Sequence, residues 1–445
     1  MKRLYLVIPS IIFATVLIVP AFARPPMILM QKSTWDADMI NSDSSGYTGK
    51  GVYVAVLDTG LTSNWRDYFP AERIATELGM GFYEPVHYNP KTDSEVGDGY
   101  VVETSWVGST YSTHGTHVVS TIIGYNYYST SDAAAGLSLP PLYIKGIAPD
   151  VTIIPVKVLH NYNLGSEGKF VFGTDNAVAA GIDYVRGLKE MHPEWPIVIS
   201  MSIGAGEPSP VEKAAIDAAI DAGVIIVAAA GNAGSTGMDW PGAYPEVISA
   251  GANGWRYEWL TPTTKVPYYR LWWLQDNTYG YNDIVEPTAA TEVYVTDFSS
   301  RENQTLAGLY PWAGPQQLDV IAPGSWVRGP FPGTPGYSHL PWWAAGNPPP
   351  TSPVFRGNNF YYVGGTSMAT PHVSSVAAHV LEKDPTLTQA QVEFYIKSTA
   401  LPIPAGSMTI FDISPTQGWY TYSWGGTEAT GSGLILADAA TAATP

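Results

Sequence analysis

Residues 51–60, GVYVAVLDTG, set an apolar run between a glycine and a turn-forming Asp-Thr-Gly, the pattern of a buried strand that ends in a turn. The pattern returns at 151–159 (VTIIPVKVL), 196–202 (PIVISMS), 224–232 (VIIVAAAGN), 246–252 (EVISAGA) and 318–324 (LDVIAPG). Two segments between these runs, TDNAVAAGIDYVRGLKE and SPVEKAAIDAAIDAG, read as helices. The second carries Ser209 as cap, Pro210 at the first helical position and Gly223 just past the end. Strands alternating with helices predict an α/β fold of three layers, a mostly parallel central sheet flanked by helices. No internal repeat is found.

In an open α/β sheet the chemistry collects at the carboxyl ends of the strands. Asp58 closes the first run and Asn232 closes another. A carboxylate at a strand end also serves as a plain turn former, so Asp58 alone decides nothing. STHGTHVVSTIIG, residues 112–124, places His114 at the start of a predicted helix whose first turn is Gly and Thr, which lets a second chain approach closely. His114 and His117 lack the spacing and the glutamate of H-E-x-x-H, so a general base suits His114 better than a zinc ligand. GGTSMATPHVSS, residues 364–375, then sets Ser367 at a helix mouth, where free backbone N–H groups and the helix dipole favour developing negative charge. An isolated Gly-Thr-Ser is an ordinary turn; beside an aspartate and a histidine it becomes a candidate nucleophile. Pro371 is read as removing a donor near the helix start, where the loss matters least.

Composition narrows the partners. The chain has 445 residues, of which 45% are apolar, enough to bury a large core. A net charge of −17 argues against a nucleic acid or an anionic membrane as partner. The absence of cysteine excludes disulfides and thiolate chemistry. Lys2 and Arg3, the uncharged run 4–19 and the Ala21-Phe22-Ala23 site predict a signal peptide over 1–23 and secretion. No later run is long and apolar enough to span a bilayer, so no integral segment is expected after cleavage.

Together Asp58 in VAVLDTG, His114 in HGTHVVSTIIG and Ser367 in GTSMATPHVSSVAA resemble the three signature blocks of the subtilisin-like (subtilase) serine peptidases, in the order Asp, His, Ser. YTGKGV, MSIG, AAAGN, YPEVISAGA, FSS, LDVIAPG and GSGLILADAA extend the likeness from about Trp35 to Ala440. The resemblance implies a subtilisin-like fold over 35–441 with a tail at 442–445, and an endopeptidase that cleaves polypeptides through an acyl-enzyme without a cofactor for the chemistry. It implies Ser367 as nucleophile, His114 as acid and base, Asp58 as its support, and Asn232 with the Ser367 N–H as oxyanion donors. It further implies that Ser202, Ile203 and Gly204 in SIGAG, with Ala229 and Gly231 in AAAG, bind an extended substrate and wall its S1 pocket. Alignment with the family puts Asp239 near the S1 floor, where it would favour Lys or Arg at P1; a solvated carboxylate or a calcium ligand are the other readings.

Structural calcium is also implied, with Asp67 and Gln31 at ligand positions, although the segment after the His114 helix is unlike the family's ligand loop. Other departures are the short stretch 24–34, with no folded propeptide evident, and insertions at about 254–293 and 326–355. Those insertions either rim the cleft or blanket the core and mediate self-association. A narrow processing peptidase with a restricted cleft and an inactive surface binding protein are the competing readings. The NQT at Asn303 matches a glycosylation acceptor.

Overall fold

The structure, a computed structural model, describes residues 34–89, 94–109, 112–127, 142–163, 169–256, 290–332, 360–412 and 418–445. The predicted signal peptide, Gln31 and most of both insertions lie outside the described residues. Nine strands form the central sheet: β1 (Tyr53–Asp58), β2 (Met80–Tyr83), β3 (Val102–Thr104), β4 (Thr152–Lys157), β5 (Ile197–Met201), β6 (Ile225–Ala229), β7 (Ile248–Trp255), β8 (Val293–Val295) and β9 (Val320–Pro323). Their order is β8-β7-β6-β5-β1-β4-β2-β3, with β9 also pairing β7. Only β8 and β3, at the ends of that order, run antiparallel to their neighbours.

Parallel strands covered on both faces read as continuous apolar runs because successive side chains feed two cores. In β1, Val54 and Val56 enter one core while Ala55 and Leu57 enter the other. The first core is shared with the helices α1 (Thr113–Ile123), α4 (Thr366–Lys383) and α5 (Gln389–Ser398), the second with α2 (Asp175–Met191) and α3 (Pro210–Asp221). The three expected layers follow. Ser209 caps α3 by accepting from the Glu212 N–H at 3.4 Å, Pro210 opens the helix, and Gly223 beyond its end has φ +89°.

All six runs read as strands are strands of this sheet. β7 continues to Trp255 and β8 begins at Val293, so both edges of the first expected insertion belong to the sheet. Likewise Val327–Pro330, at the start of the second, pairs with Phe360–Val363. Among the described residues, no helix is long and apolar enough to cross a membrane.

Candidate active site

β1 lies at the centre of the sheet, and its last residue, Asp58, is fully buried at the carboxyl end. The Thr59 N–H donates to Asp58 Oδ1 at 2.6 Å, and His114 Nδ1 lies 2.9 and 2.8 Å from the two carboxylate oxygens. That contact needs α1 to start very close to the strand end. Gly115 permits it: a Cβ there would stand 2.5 Å from the Gly60 carbonyl and 3.0 Å from Asp58 Oδ1. The His114 side chain keeps 22% exposure. Burial alone would pull its pKa down; the Asp58 charge and hydrogen bond outweigh it, so the imidazole sits above the usual histidine value.

β5 neighbours β1, and Ser202 follows its last residue. Here Ser367 is held by a reciprocal pair: its hydroxyl donates to the Ser202 carbonyl at 3.1 Å, and the Ser202 hydroxyl donates to the Ser367 carbonyl at 2.7 Å. Pro371 explains the second bond and corrects the reading of its position. It is the sixth residue of α4, inside the helix, and its missing N–H is the one that would have bonded the carbonyl four residues back, that of Ser367. The Ser202 hydroxyl satisfies that freed carbonyl. Ser367 and His114 therefore stand at the carboxyl ends of adjacent parallel strands, on helices α4 and α1 that pack together. The Ser367 hydroxyl is turned toward Ser202 rather than bonded to the imidazole.

Asn232 reaches the same helix mouth. Its Oδ1 accepts from the Thr366 N–H at 2.8 Å and the Thr366 hydroxyl at 3.1 Å, which leaves Nδ2 without a partner among the described residues. Thr366 carries no motif role in the sequence; its hydroxyl also accepts from the Gly231 N–H at 3.2 Å, tying β6's extension to α4. A threonine one residue before a helix-mouth serine was the available signal.

The proposed substrate-binding residues gather beside this point. Ser202, Ile203 and Gly204 leave β5, and Ala229 and Gly231 leave β6, its parallel neighbour. Asp239 lies between them: Cβ atoms built on Gly204 and Gly231 would stand 2.7 and 2.9 Å from the Asp239 Cβ. Either glycine replaced by alanine would collide with it. The Asp239 carboxylate has no hydrogen-bond or cation partner among the described residues, and burial pushes its pKa up to about 6. Next to it, Trp240 and Ala205 exchange two backbone hydrogen bonds of 2.8 Å.

Asp67 is exposed in the short helical turn Trp65–Asp67, and its Oδ2 accepts from Asn64 Nδ2 at 3.1 Å. Among the described residues no group of three or more His, Asp or Glu side chains gathers that could hold a metal ion, and Gln31 lies outside those residues. Asn303, the candidate glycan acceptor, donates its side-chain N–H to the Thr236 carbonyl at 2.9 Å and caps the turn Gln304–Ala307 with its Oδ1. A glycan on that nitrogen would compete with an internal bond.

A carboxylate, an imidazole and a hydroxyl thus lie at the carboxyl edge of the parallel sheet of an α/β protein, with an amide beside them. The sequence profile of the Subtilase family (peptidase S8) matches residues 49–431, and the chain belongs to that family. It is 27% identical over 361 residues to subtilisin E of Bacillus subtilis (strain 168), covering 80% of this chain and 62% of that protein. It is 26% identical over 414 residues to subtilisin BL of Lederbergia lenta, covering 92% and 99%. The fold is that of sphericase, with a TM-score of 0.54 at 23% identity over 92% of this chain and 99% of that one. Fervidolysin from Fervidobacterium pennivorans, a keratinolytic enzyme related to subtilisin, gives 0.52 at 23% identity over 92% and 46%.

Proposed function

We propose that this protein is a secreted serine endopeptidase that hydrolyses polypeptides through an acyl-enzyme, with Ser367 as nucleophile, His114 as general base and acid, and Asp58 fixing the imidazole. The observation that carries the reading is the buried Asp58 carboxylate gripping His114 Nδ1. A donor bond there leaves Nε2 as the proton acceptor, the tautomer a general base requires. For the reaction the Ser367 hydroxyl would leave the Ser202 carbonyl and donate to that nitrogen. As Oγ attacks the scissile carbonyl, its proton passes to His114. The new oxyanion takes hydrogen bonds from Asn232 Nδ2 and the Ser367 N–H, both otherwise unused donors at the helix mouth. His114 then gives its proton to the leaving amine, and the same base activates water for deacylation.

The substrate backbone would add as a strand along 202–206, putting its P1 side chain between Gly204 and Gly231 above Asp239. An unpaired carboxylate in that slot favours a cationic P1 residue, Lys or Arg. Secretion rests on the charged start, apolar run and Ala21-Phe22-Ala23 site of the sequence.

Fluorophosphonate labelling followed by peptide mapping tests the chemistry. Ser367 should be modified in the native protein and unmodified in Ser367→Ala or after heat denaturation. A native protein left unlabelled under conditions where a subtilisin reacts would reject the enzyme reading in favour of an inert binding protein.

A further inference from the structure

Among the described residues no hydrogen bond or ion pair holds the Asp239 side chain in place, so its aim depends on the backbone that carries it. One anchor comes from the sheet side, where the Asp239 N–H donates to the Ala230 carbonyl at 2.8 Å. The rest comes from the segment Asn303–Gln316, which the subtilase signature blocks leave out. Gln316 is 2% exposed, and its side-chain amide grips both backbone groups of Met238: Oε1 accepts from the Met238 N–H at 2.9 Å and Nε2 donates to the Met238 carbonyl at 2.9 Å. That carbonyl belongs to the peptide group leading into Asp239.

Tyr310, from the same segment, reaches the other wall. Its ring meets the Trp240 indole edge-on at 5.6 Å and 75°, and Trp240 is the residue whose backbone bridges Ala205 of the 202–206 strand. The segment is itself tied down, with the Asn303 N–H donating to Gln316 Oε1 at 2.9 Å and Gln304 Nε2 donating to the Gln316 carbonyl at 2.8 Å. The floor of the slot, through Met238, and the residue that bridges its 202–206 wall, Trp240, are therefore backed by one connected unit.

We propose that Asn303–Gln316 is a specificity brace, in which Gln316 and Tyr310 act as positioning residues that hold the Asp239 carboxylate where a P1 ammonium or guanidinium meets it. This deepens the reading of Asp239 as the S1 floor and rests on it. The physical reason is the distance dependence of a charge pair. Attraction falls as the separation grows and as water enters between the charges, whereas an apolar P1 side chain tolerates a shift of the floor by small repacking. Loosening the brace should thus harm basic substrates selectively. It should also let water reach the carboxylate, so the pH at which the basic preference is lost should move down from about 6.

The test compares kcat/KM for matched peptide amides with Lys or Leu at P1, per active site counted by fluorophosphonate titration, in wild type, Gln316→Leu, Tyr310→Ala and Asp239→Asn. Gln316→Leu should lower the Lys:Leu ratio roughly tenfold, the size of a lost close charge pair, with kcat/KM for the Leu substrate within about twofold of wild type. The ratio's midpoint pH should fall as well. Tyr310→Ala removes the ring that backs Trp240, and should lower the ratio by a smaller factor, about twofold to threefold. Equal losses on both substrates, or an unchanged ratio and midpoint, overturn the brace. If Gln316→Leu does not fold, Tyr310→Ala decides the matter by the same criterion. Should Asp239→Asn itself leave the ratio unchanged, the S1 reading fails; if it abolishes the preference and neither brace variant moves it, the brace alone fails.

Discussion

Replacing Asp239 by asparagine should make the fold more stable at neutral pH while removing its preference for basic substrates. Burial raises the Asp239 pKa from 3.8 to about 6 in the folded chain. Between those values the unfolded chain is ionised and the folded chain is protonated. Wild-type stability therefore falls as pH rises from about 4 to about 6, and the loss persists above that. A difference of about two units corresponds to something on the order of 3 kcal/mol, an upper figure because the carboxylate keeps some solvent contact. The asparagine side chain has no charge to bury, so Asp239→Asn should gain stability that is full above pH 6, fades through the interval and vanishes below pH 4. Urea unfolding at pH 4, 5, 6 and 7, on Ser367→Ala backgrounds to stop self-digestion, measures it. Meanwhile the Lys:Leu ratio of kcat/KM in wild type should follow ionisation of Asp239 in the free enzyme, falling about fivefold from pH 7 to pH 5, since a group of pKa about 6 is ~90% charged at the first and ~10% at the second and the charge pair is worth about tenfold. The ratio cancels the titration of His114, which both substrates share. A stability gain independent of pH, or a Lys:Leu ratio flat across this range, would refute the argument that an unpaired buried carboxylate sets P1 choice.

The remaining predictions concern the helix mouth and the core. Asn232→Leu should lower kcat by roughly 10²–10³ with little change in KM, because its Nδ2 is the proposed donor to the oxyanion; steady-state kinetics on one peptide amide decides it. Ser202→Ala leaves the Ser367 carbonyl without the bond that replaces the one lost to Pro371, and should cost about 1–3 kcal/mol in chemical unfolding. His379 is buried at α4, where desolvation first of all brings its pKa from 6.5 to about 4. A folded pKa below the unfolded one means its stability is full above pH 6.5, declines as pH falls toward 4, and levels off below. The decline should be on the order of 3 kcal/mol, and His379→Gln should flatten that part of the stability profile.

Much of this was legible in the residues. The six strands announced themselves because a parallel strand covered by helices on both faces needs apolar side chains at consecutive positions. Asp58, His114 and Ser367 stood out because each sits in a short block whose glycines and threonines serve close approach, as Gly115 does beside Asp58. β2 and β3, at one edge of the sheet, and the hairpins His160–Asn163 with Lys169–Phe172 and Gly406–Asp412 with Gly418–Trp424 gave no such run. Edge strands and two-stranded hairpins bury less, so their polarity resembles that of loops. The role given to Pro371 failed for a different reason. Its helix position could be counted from the sequence, but the group that compensates for its missing N–H is the Ser202 hydroxyl, 165 residues from the Ser367 carbonyl it serves.

The amino-acid order determined which chemistry this chain can carry, since block composition selects a carboxylate, an imidazole, a hydroxyl and an amide at strand ends and helix mouths. It also determined the layer architecture, through the length and spacing of apolar runs. Tertiary structure alone decided how the pieces constrain one another: the Ser202–Ser367 exchange, the hold of Thr366 on Asn232, and the grip of Gln316 on the residue before Asp239. Those bonds join residues 165, 134 and 78 positions apart. A hydrogen bond depends on angles and on a few tenths of an ångström, and no local pattern in a sequence encodes a distance between segments that meet only when the sheet has formed.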